Sequence, residues 1–303
     1  MPDKQMLPIV LVHGIARFDI LLEIHRKKFN LPENPLSDEF QYFKNIKTHL
    51  ESHGFKPVFH TNQDFAGSVD YRAEQLRNRI NEIISETGAG KVHIIAHSMG
   101  GLDARRMIVD LGMADKVASL TTVGTPHLGT VLADHIIRNG GIFLIDILRK
   151  VIKLNLDGLK DLTKTECEKF NRRAEEQEAT NEVFYQTYAS SEDISRMFAP
   201  LVLSWIFIRN IEGRNDGLVP FTSQQWKKEL VAGDGRRKPV AQKEFPLPAD
   251  HLNQVGWWDL EEAGNPLFGI SLIELIKQKL EYENQIKNIY LEIAGDLQQV
   301  KAG

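Results

Sequence analysis

The stretch Val92-His-Ile-Ile-Ala-His-Ser-Met-Gly-Gly101 decides the fold of this chain. It opens with an apolar run that is typical of a buried strand, and it continues into a helical pattern. Ser98 lies between the two, with the small residues Ala96 and Gly100 two positions before and after it. This spacing allows a strained strand-to-helix turn that exposes the serine hydroxyl at the carboxyl end of a sheet. A turn without chemistry is the alternative, but the flanking strand and helix favour a nucleophilic serine.

Strands and amphipathic helices alternate on both sides of this turn. Short apolar runs indicate the strands, and apolar side chains at helical spacing indicate the segments between them. The alternation predicts an α/β fold with a mostly parallel sheet flanked by helices. The predicted strands are residues 7–12, 55–60, 92–96, 118–123 and 183–189, and the predicted helices are residues 37–53, 71–87 and 101–111.

Two segments interrupt the alternation and set the expected domain boundaries. Residues 128–182 hold no strand signal, so we expect a helical cap or lid insertion there. From Phe268 onward, apolar side chains recur near helical spacing, which predicts one long helix. We therefore expect one α/β domain over residues 1–268, and a helix over residues 269–303 that packs on it or extends from it. The polar stretch Gly233–Lys238 predicts a loop or a hairpin connection.

Composition excludes several classes of protein. The 303 residues are 42% hydrophobic and 26% charged, which is a globular composition and argues against wholesale disorder. The formal net charge is −4, so the chain lacks the basic footprint of a nucleic-acid-binding protein. Cys167 is the only cysteine, which rules out an internal disulfide and a cysteine-rich zinc site. The N-terminal residues show no signal-peptide pattern, and we expect a cytoplasmic protein.

A serine nucleophile needs backbone N–H groups that stabilise the negative charge forming on the substrate oxygen. The N–H of Met99 follows the nucleophile at the start of a helix and is the first candidate. The N–H of Ile15 is the second, because His13-Gly14-Ile15 directly follows the first strand and Gly14 lets the backbone approach closely. The alternative is that Gly14 merely ends the strand. Its spacing ahead of Ser98 favours the oxyanion role.

The order of residues along the chain restricts the base and the acid. Triads of this type run serine, then acid, then histidine. Of the ten histidines, only His127, His135 and His251 follow Ser98, and only His251 also follows a plausible acid loop. That loop is a polar turn with the sequence RNDGLVP, and it contains Asp216. We expect His251 to take the serine proton and Asp216 to hold the imidazole in the required tautomer.

Each assignment has an alternative in ordinary local structure. An Asp-Gly turn would also place an aspartate at Asp216, and a surface helix capped by the preceding aspartate would also begin at His251. Asp193 is the next acid to consider. We interpret His97 and His127 as residues that orient the backbone near the site. No cluster of His, Cys, Asp or Glu has the spacing of metal ligands.

Five segments spread along the chain share a further pattern. They are Pro8-Ile-Val-Leu-Val-His-Gly14, Ala96-His-Ser-Met-Gly-Gly101, Gly124-Thr-Pro-His-Leu-Gly129, Asn215-Asp-Gly-Leu-Val219 and His251-Leu-Asn-Gln-Val255. In order and spacing they resemble the bacterial triacylglycerol lipases of the Pseudomonas and Proteus type, within the α/β-hydrolase superfamily, over about residues 6–280. The resemblance implies an α/β-hydrolase fold with a helical lid after the third segment. It also implies a triad of Ser98, Asp216 and His251, with Ile15 and Met99 as backbone oxyanion donors.

The chain departs from this family in two respects. Many relatives carry a disulfide, which a single cysteine cannot form. Many also bind calcium through an aspartate two residues after the catalytic histidine and a glutamine four further on, and here these positions are Asn253 and Trp257. A neutral amide and an indole are poor ligands for a hard cation. We therefore predict no bound calcium, no other metal and no cofactor.

Residues 140–157 carry the pattern of an amphipathic lid. Four charged side chains share one face, and apolar side chains cover the rest. Glycines before and after the segment are backbone positions that allow hinges. An ordinary half-buried helix is the alternative, but the position after the Gly124–Gly129 turn favours a lid over the Ser98 pocket. The predicted lid and substrate-binding residues are Phe143, Ile147, Leu148, Val151 and Ile152.

Together these expectations describe a lipolytic serine hydrolase that cleaves carboxylic esters of acylglycerols through an acyl-enzyme. Its partners would be an acylglycerol or another ester and, transiently through the lid, a lipid interface, with no nucleic acid. A carboxylesterase, acyltransferase or thioesterase with the same triad is the enzymatic alternative, because pocket shape sets the acyl preference. A non-catalytic interaction protein on this fold is the alternative from another class.

Overall fold

A six-stranded parallel sheet forms the centre of the molecule. The computed structural model describes residues 6–14, 37–64, 67–139, 156–257 and 272–300. The strands are β1 (Ile9–Val12), β2 (Val58–His60), β3 (Val92–His97), β4 (Val117–Val123), β5 (Phe184–Ala189), β6 (Glu229–Val231), β7 (Arg237–Pro239) and β8 (Ala241–Glu244). Six of them form the central sheet in the order β2-β1-β3-β4-β5-β8, and each neighbouring pair is parallel. Strands β6 and β7 form a separate antiparallel pair. The predicted α/β fold with a mostly parallel sheet is therefore confirmed.

Helices cover both faces of this sheet, which is why its central strands are apolar runs rather than alternating patterns. Because side chains alternate across a strand, Val10 and Val12 join one core, and Ile9 and Leu11 join the other. The helices are α1 (Ile46–Ser52), α2 (Val69–Thr87), α3 (Met99–Asp110), α4 (Val131–Asn139), α5 (Leu156–Asp161), α6 (Lys164–Thr180), α7 (Val202–Glu212), α8 (Phe221–Gln225) and α9 (Leu272–Gln298). None of these described helices is both long and apolar enough to cross a membrane.

The segment 37–53 differs from its prediction as a single helix. The structure has a 3-10 turn at Asp38–Phe40, and α1 begins only after Asn45, whose φ of 58° is left-handed. In the irregular part, the backbone N–H of Lys44 donates to the carbonyl of Val255 at 3.0 Å. The apolar residues of the pattern, Phe43, Ile46 and Leu50, are buried as the spacing predicts. The first turns of the predicted helix are absent, and the backbone there bonds to a distant loop instead.

Strand β8 has no counterpart in the sequence prediction. Its sequence, AQKE, is polar, and its side chains are half-buried or exposed. It pairs only with β5, at the edge of the sheet, so it needs no apolar run to be stable. Edge strands of this kind carry a weak sequence signal, and the prediction therefore ended the sheet one strand too early.

The two segments outside the alternation are helical wherever the structure describes them. The described part of residues 128–182 consists of α4, α5, α6 and their connections, as predicted. The long C-terminal helix α9 packs against α1 and against the 3-10 turn Asn253–Val255. Its second half is buried through Ile286, Tyr290 and Ile293, whereas Ile273 near its start is exposed. The polar stretch Gly233–Lys238 connects β6 to β7 in a hairpin and supplies part of β7.

Candidate active site

Ser98 occupies a strained turn between β3 and α3. Its φ of 57° and ψ of −134° lie outside the regions that an L-residue ordinarily adopts. The turn is tight enough that a Cβ added to Gly100 would lie 2.6 Å from the carbonyl oxygen of His13, and one added to Gly14 would lie 2.5 Å from the Cβ of Ser98. Glycine is therefore required at positions 14 and 100, because the segment after β1 and the turn that carries Ser98 are in direct contact.

The structure brings together the three side chains predicted as a triad, although they come from distant parts of the chain. The Ser98 hydroxyl donates to His251 Nε2 at 2.8 Å, and His251 Nδ1 donates to Asp216 Oδ2 at 2.7 Å. All three residues are buried. This geometry allows the imidazole to accept the serine proton while the carboxylate fixes its tautomer.

Asp216 is held in place by its own turn. Its Oδ1 accepts hydrogen bonds from the backbone N–H groups of Leu218 at 3.0 Å and Val219 at 2.8 Å. Gly217 allows this turn because its φ is 95°. The backbone carbonyl of Asp216 also accepts from the backbone N–H of His251 at 2.8 Å. This bond connects the acid loop to the loop that carries His251, the histidine loop. The Asp-Gly turn that was the structural alternative therefore exists, and it holds the carboxylate of the predicted acid next to His251.

Gln254 contacts a member of the predicted triad and was not predicted from the sequence. Its Nε2 donates to Asp216 Oδ2 at 2.9 Å, and its Oε1 lies 3.1 Å from His97 Nε2. The far nitrogen of His97, Nδ1, lies 2.7 Å from the hydroxyl of Tyr42. A neutral amide and a tyrosine carry no catalytic signature in a single sequence. The one available signal was that Gln254 lies three residues after the predicted base.

The oxyanion prediction falls partly within the described residues. Met99 is the first residue of α3, where backbone N–H groups have no acceptor within the helix and where the helix dipole favours negative charge. Thr125 Oγ1 donates to the carbonyl of Ser98 at 2.8 Å and fixes the peptide that carries the Met99 N–H. Gly14 lies against Ser98, but Ile15 is outside the described residues.

The predicted lid residues also lie outside the described part of the chain. Phe143, Ile147, Leu148, Val151 and Ile152 fall within residues 140–155, between α4 and α5. Their assignment stays a prediction from the sequence.

The positions expected to lack calcium ligands are engaged in other contacts. Asn253 Nδ2 donates to the carbonyl of Trp257 at 2.8 Å, and Trp257 Nε1 donates to the carbonyl of Tyr42 at 2.9 Å. Trp257 has no side-chain oxygen, and the one side-chain oxygen of Asn253 accepts from the backbone N–H of Asp250 at 3.4 Å. Among the described residues, no group of three or more His, Cys, Asp or Glu side chains is arranged to hold a metal ion.

The alternative residues have structural roles of their own. Asp250 Oδ1 accepts from the backbone N–H groups of Leu252 and Asn253, both at 2.9 Å, so it caps the turn that carries the predicted base. Asp193 caps its own turn by accepting from the N–H of Ser195 at 2.9 Å. The ring of His127 is buried and stacks on Trp226 at 4.8 Å.

Comparisons with known proteins find a serine esterase family and triacylglycerol lipases. The family model described as "Putative serine esterase (DUF676)" matches residues 3–228. The chain is 27% identical to triacylglycerol lipase 2 of Saccharomyces cerevisiae, over 96% of this chain and 90% of that protein. It is 37% identical to a triacylglycerol lipase of Pseudarthrobacter phenanthrenivorans, but over only 43% of this chain and 36% of that protein.

The fold is also similar to that of solved structures. The mature form of Bacillus licheniformis lipase BlEst2 matches with a TM-score of 0.60 and 20% sequence identity. The match covers 83% of this chain and 87% of that chain. At this level of identity, the likeness supports the α/β-hydrolase architecture.

Proposed function

This chain belongs to the DUF676 family of serine esterases, and on that premise we propose that it is a lipolytic serine hydrolase with Ser98, His251 and Asp216 as its catalytic triad. The observation that carries the proposal is the pair of hydrogen bonds that join His251 to Ser98 at 2.8 Å and to Asp216 at 2.7 Å. These three residues are buried around one strained turn, which is where a nucleophile must be held.

The reaction proceeds through an acyl-enzyme. Ser98 Oγ attacks the ester carbonyl carbon while His251 Nε2 takes the hydroxyl proton. The oxyanion that forms is stabilised by the backbone N–H groups of Met99 and Ile15. The bond to the alkoxy oxygen then breaks, and His251 delivers its proton to the leaving alcohol. Water, deprotonated by His251, attacks the carbonyl carbon of the acyl-enzyme. The bond to Ser98 Oγ then breaks, His251 returns the proton to that oxygen, and the carboxylic acid is released.

We assign acylglycerols as the substrate class. The relative that spans almost the whole chain is named as a triacylglycerol lipase, and this supports the assignment. The five segments noted in the sequence further support a placement near the Pseudomonas and Proteus type of lipase. A carboxylesterase for short, soluble esters is the second candidate, since the family model describes an esterase.

A chain-length series of p-nitrophenyl esters tests the function and the substrate class together. We expect hydrolysis by the wild-type protein, with a preference for long acyl chains, and loss of hydrolysis in Ser98→Ala with no change in melting temperature. A preference for the shortest esters would favour the carboxylesterase function over the lipase function. Hydrolysis by a folded Ser98→Ala variant would contradict the proposed nucleophile.

The contact with a lipid interface rests on the sequence of residues 140–157. We expect triglyceride hydrolysis to rise out of proportion above the solubility limit of the substrate, because an apolar lid exposes its buried side at an interface. Leu148→Asp should then lower activity on emulsions more than on a soluble ester. An equal effect on both substrates, with no rise at the solubility limit, would contradict a lid.

A further inference from the structure

A continuous chain of hydrogen bonds extends from the triad acid through three residues that the proposed reaction does not use. Asp216 Oδ2 accepts from Gln254 Nε2, Gln254 Oε1 faces His97 Nε2, and His97 Nδ1 faces the Tyr42 hydroxyl at 2.7 Å. The Tyr42 hydroxyl also forms a hydrogen bond with the backbone of Gly14. Burial raises the pKa of Tyr42, and this hydrogen bond lowers it by a smaller amount. The chain therefore runs from the acid loop to the residue before the predicted oxyanion donor.

The direction of each hydrogen bond in this chain is fixed by chemistry. A carboxylate can only accept, so the Gln254 amide must present its nitrogen to Asp216 and its oxygen to His97. His97 must then carry its proton on Nε2, which leaves Nδ1 to accept from the Tyr42 hydroxyl. The backbone carbonyl of His251 also interacts with the His97 ring, and a carbonyl too can only accept. These contacts are all consistent with one tautomer of His97, protonated at Nε2.

His97 is neutral in this arrangement. Burial lowers the pKa of His97 well below its usual value, and the neighbouring His251 lowers it further. The two imidazole rings lie 4.6 Å apart between centroids. A charged His97 would oppose the positive charge that His251 acquires when it takes the serine proton. A neutral His97 ring can connect Gln254 to Tyr42 without repelling the positive charge on His251.

Further contacts fix the positions of Gln254 and Tyr42. The Gln254 carbonyl accepts from the Tyr290 hydroxyl at 2.9 Å, and the Tyr42 carbonyl accepts from Trp257 Nε1. Space for the amide is kept by Gly124, because an added Cβ there would lie 2.1 Å from Gln254 Oε1. The positions are thus specified from α9, from the histidine loop and from the turn after β4.

We propose that Tyr42, His97 and Gln254 form a neutral positioning relay that orients Asp216 toward His251. The relay also connects the acid loop to Gly14 in the segment before the predicted oxyanion donor, the oxyanion loop. The inference rests on the proposed function, because it assigns these residues an effect on the same triad. None of the three would touch the substrate. They would act only by fixing the groups that do.

Steady-state kinetics on a soluble p-nitrophenyl ester test the relay. Gln254→Met removes the hydrogen bonds to Asp216 and His97, and Tyr42→Phe removes those of the hydroxyl, while both variants keep side-chain volume. Each should lower kcat about tenfold with KM unchanged. If the relay acts as a unit, the double variant should lose little more than the larger single loss, rather than about a hundredfold. Tyr185→Phe is the matched control, since Tyr185 is equally buried on β5 and hydrogen-bonds Asn181 away from the site.

The control separates positioning from stability. Tyr185→Phe should lower the melting temperature as Tyr42→Phe does but should leave kcat unchanged. Wild-type kcat in both Tyr42→Phe and Gln254→Met, or fully additive losses in the double variant, would overturn the relay. That result would leave the proposed function intact as long as Ser98→Ala remained inactive, whereas an active Ser98→Ala variant would remove the premise of both.

A spectroscopic measurement tests the relay even if the variants fail to fold. In the wild-type protein labelled with 15N-histidine, long-range 1H–15N NMR spectra should show His97 neutral and protonated at Nε2 from pH 5 to 9. A His97 ring that titrates in this range, or one that carries its proton on Nδ1, would contradict the relay directly.

Discussion

At the scale of single residues, the site depends on the strained backbone of Ser98 and on side chains whose orientation is fixed by their hydrogen bonds. Ser98 keeps a positive φ of 57° because β3 and α3 fix the backbone on either side of it. Asp216 accepts hydrogen bonds from two backbone N–H groups and two side chains, so its carboxylate has little freedom to turn. The imidazole of His251 is therefore held between a fixed acceptor and a fixed hydroxyl.

Replacement of Asp216 by Asn tests this arrangement. The amide would present a donor to His251 Nδ1 and favour the wrong tautomer. We expect turnover to fall on the order of 10⁴-fold, which is the effect of the same substitution in a serine protease triad. Asp193→Asn is the control, because Asp193 caps a separate turn. Near-full activity in Asp216→Asn would remove Asp216 from the triad.

Sequence reasoning suggests charged and nucleophilic residues as candidates more readily than neutral ones. The candidates Ser98, Asp216 and His251 followed from motif and chain order. Tyr42 and Gln254 did not, because neutral hydrogen-bonding residues occur everywhere in a sequence and only the folded structure brings them together.

At the scale of elements, the site is built where chain segments approach too closely for side chains. The end of β1 and the turn after β3 meet at Gly14 and Ser98, and the start of α3 meets His13 at Gly100. These contacts require glycine for its small size rather than for a positive φ, since neither glycine has one.

Gly14→Ala should therefore damage catalysis specifically. The added methyl group would lie 3.0 Å from Ser98 Oγ and would push the hydroxyl or the oxyanion loop aside. We expect kcat to fall about a hundredfold, the effect typical of a displacement of roughly 1 Å at a reacting group. The control is Gly90→Ala, where an added Cβ has no neighbour within 4 Å, and it should keep full activity. Equal activity of the two variants would show that the close approach at Gly14 does not matter.

The loop after His251 supports a second prediction at this scale. Asn253 and Trp257 close the loop by hydrogen bonds to backbone carbonyls. Activity and melting temperature should consequently be unchanged by a calcium chelator. A large drop in melting temperature that added calcium reverses would show that other residues bind the ion.

The elements themselves were predictable to different degrees. The central strands and α2 were found from their apolar spacing because they bury that spacing in the core. The first turns of the helix predicted at residues 37–53 were wrong, because there the backbone N–H of Lys44 donates to the carbonyl of Val255 and not to a helical acceptor. The polar edge strand β8 was missed because pairing with β5, and not burial, holds it in the sheet.

At the scale of the whole molecule, the buried core contains several histidines as well as apolar side chains. Burial lowers the pKa of His93 to about 4 and is also the main reason that the pKa of His13 falls to about 3. Unfolded histidines have a pKa near 6.5. Below about pH 6.5 the unfolded chain therefore binds protons that the folded chain does not, and the free energy of unfolding decreases as the pH falls toward these lowered values.

His93→Asn should make the protein less sensitive to acid. His93 is 6% exposed on β3 and its Nδ1 lies 2.7 Å from the Ser119 hydroxyl, a contact that an asparagine amide can keep. Each such histidine contributes a slope of about 1.4 kcal/mol per pH unit between its two pKa values. Urea unfolding between pH 6 and 4.5 should show the variant losing stability more slowly than the wild type by about this slope. Identical slopes would mean that His93 is protonated in the folded protein.

The central claim is that Ser98 is an activated nucleophile, and covalent labelling measures this most directly. A fluorophosphonate reacts with a serine hydroxyl only when a neighbouring base activates it. Intact-protein mass spectrometry should show one adduct per chain, peptide mapping should place it on Ser98, and the Ser98→Ala variant should take up none. A folded wild-type protein that remains unlabelled, or an adduct on another residue with Ser98 unmodified, would contradict the account.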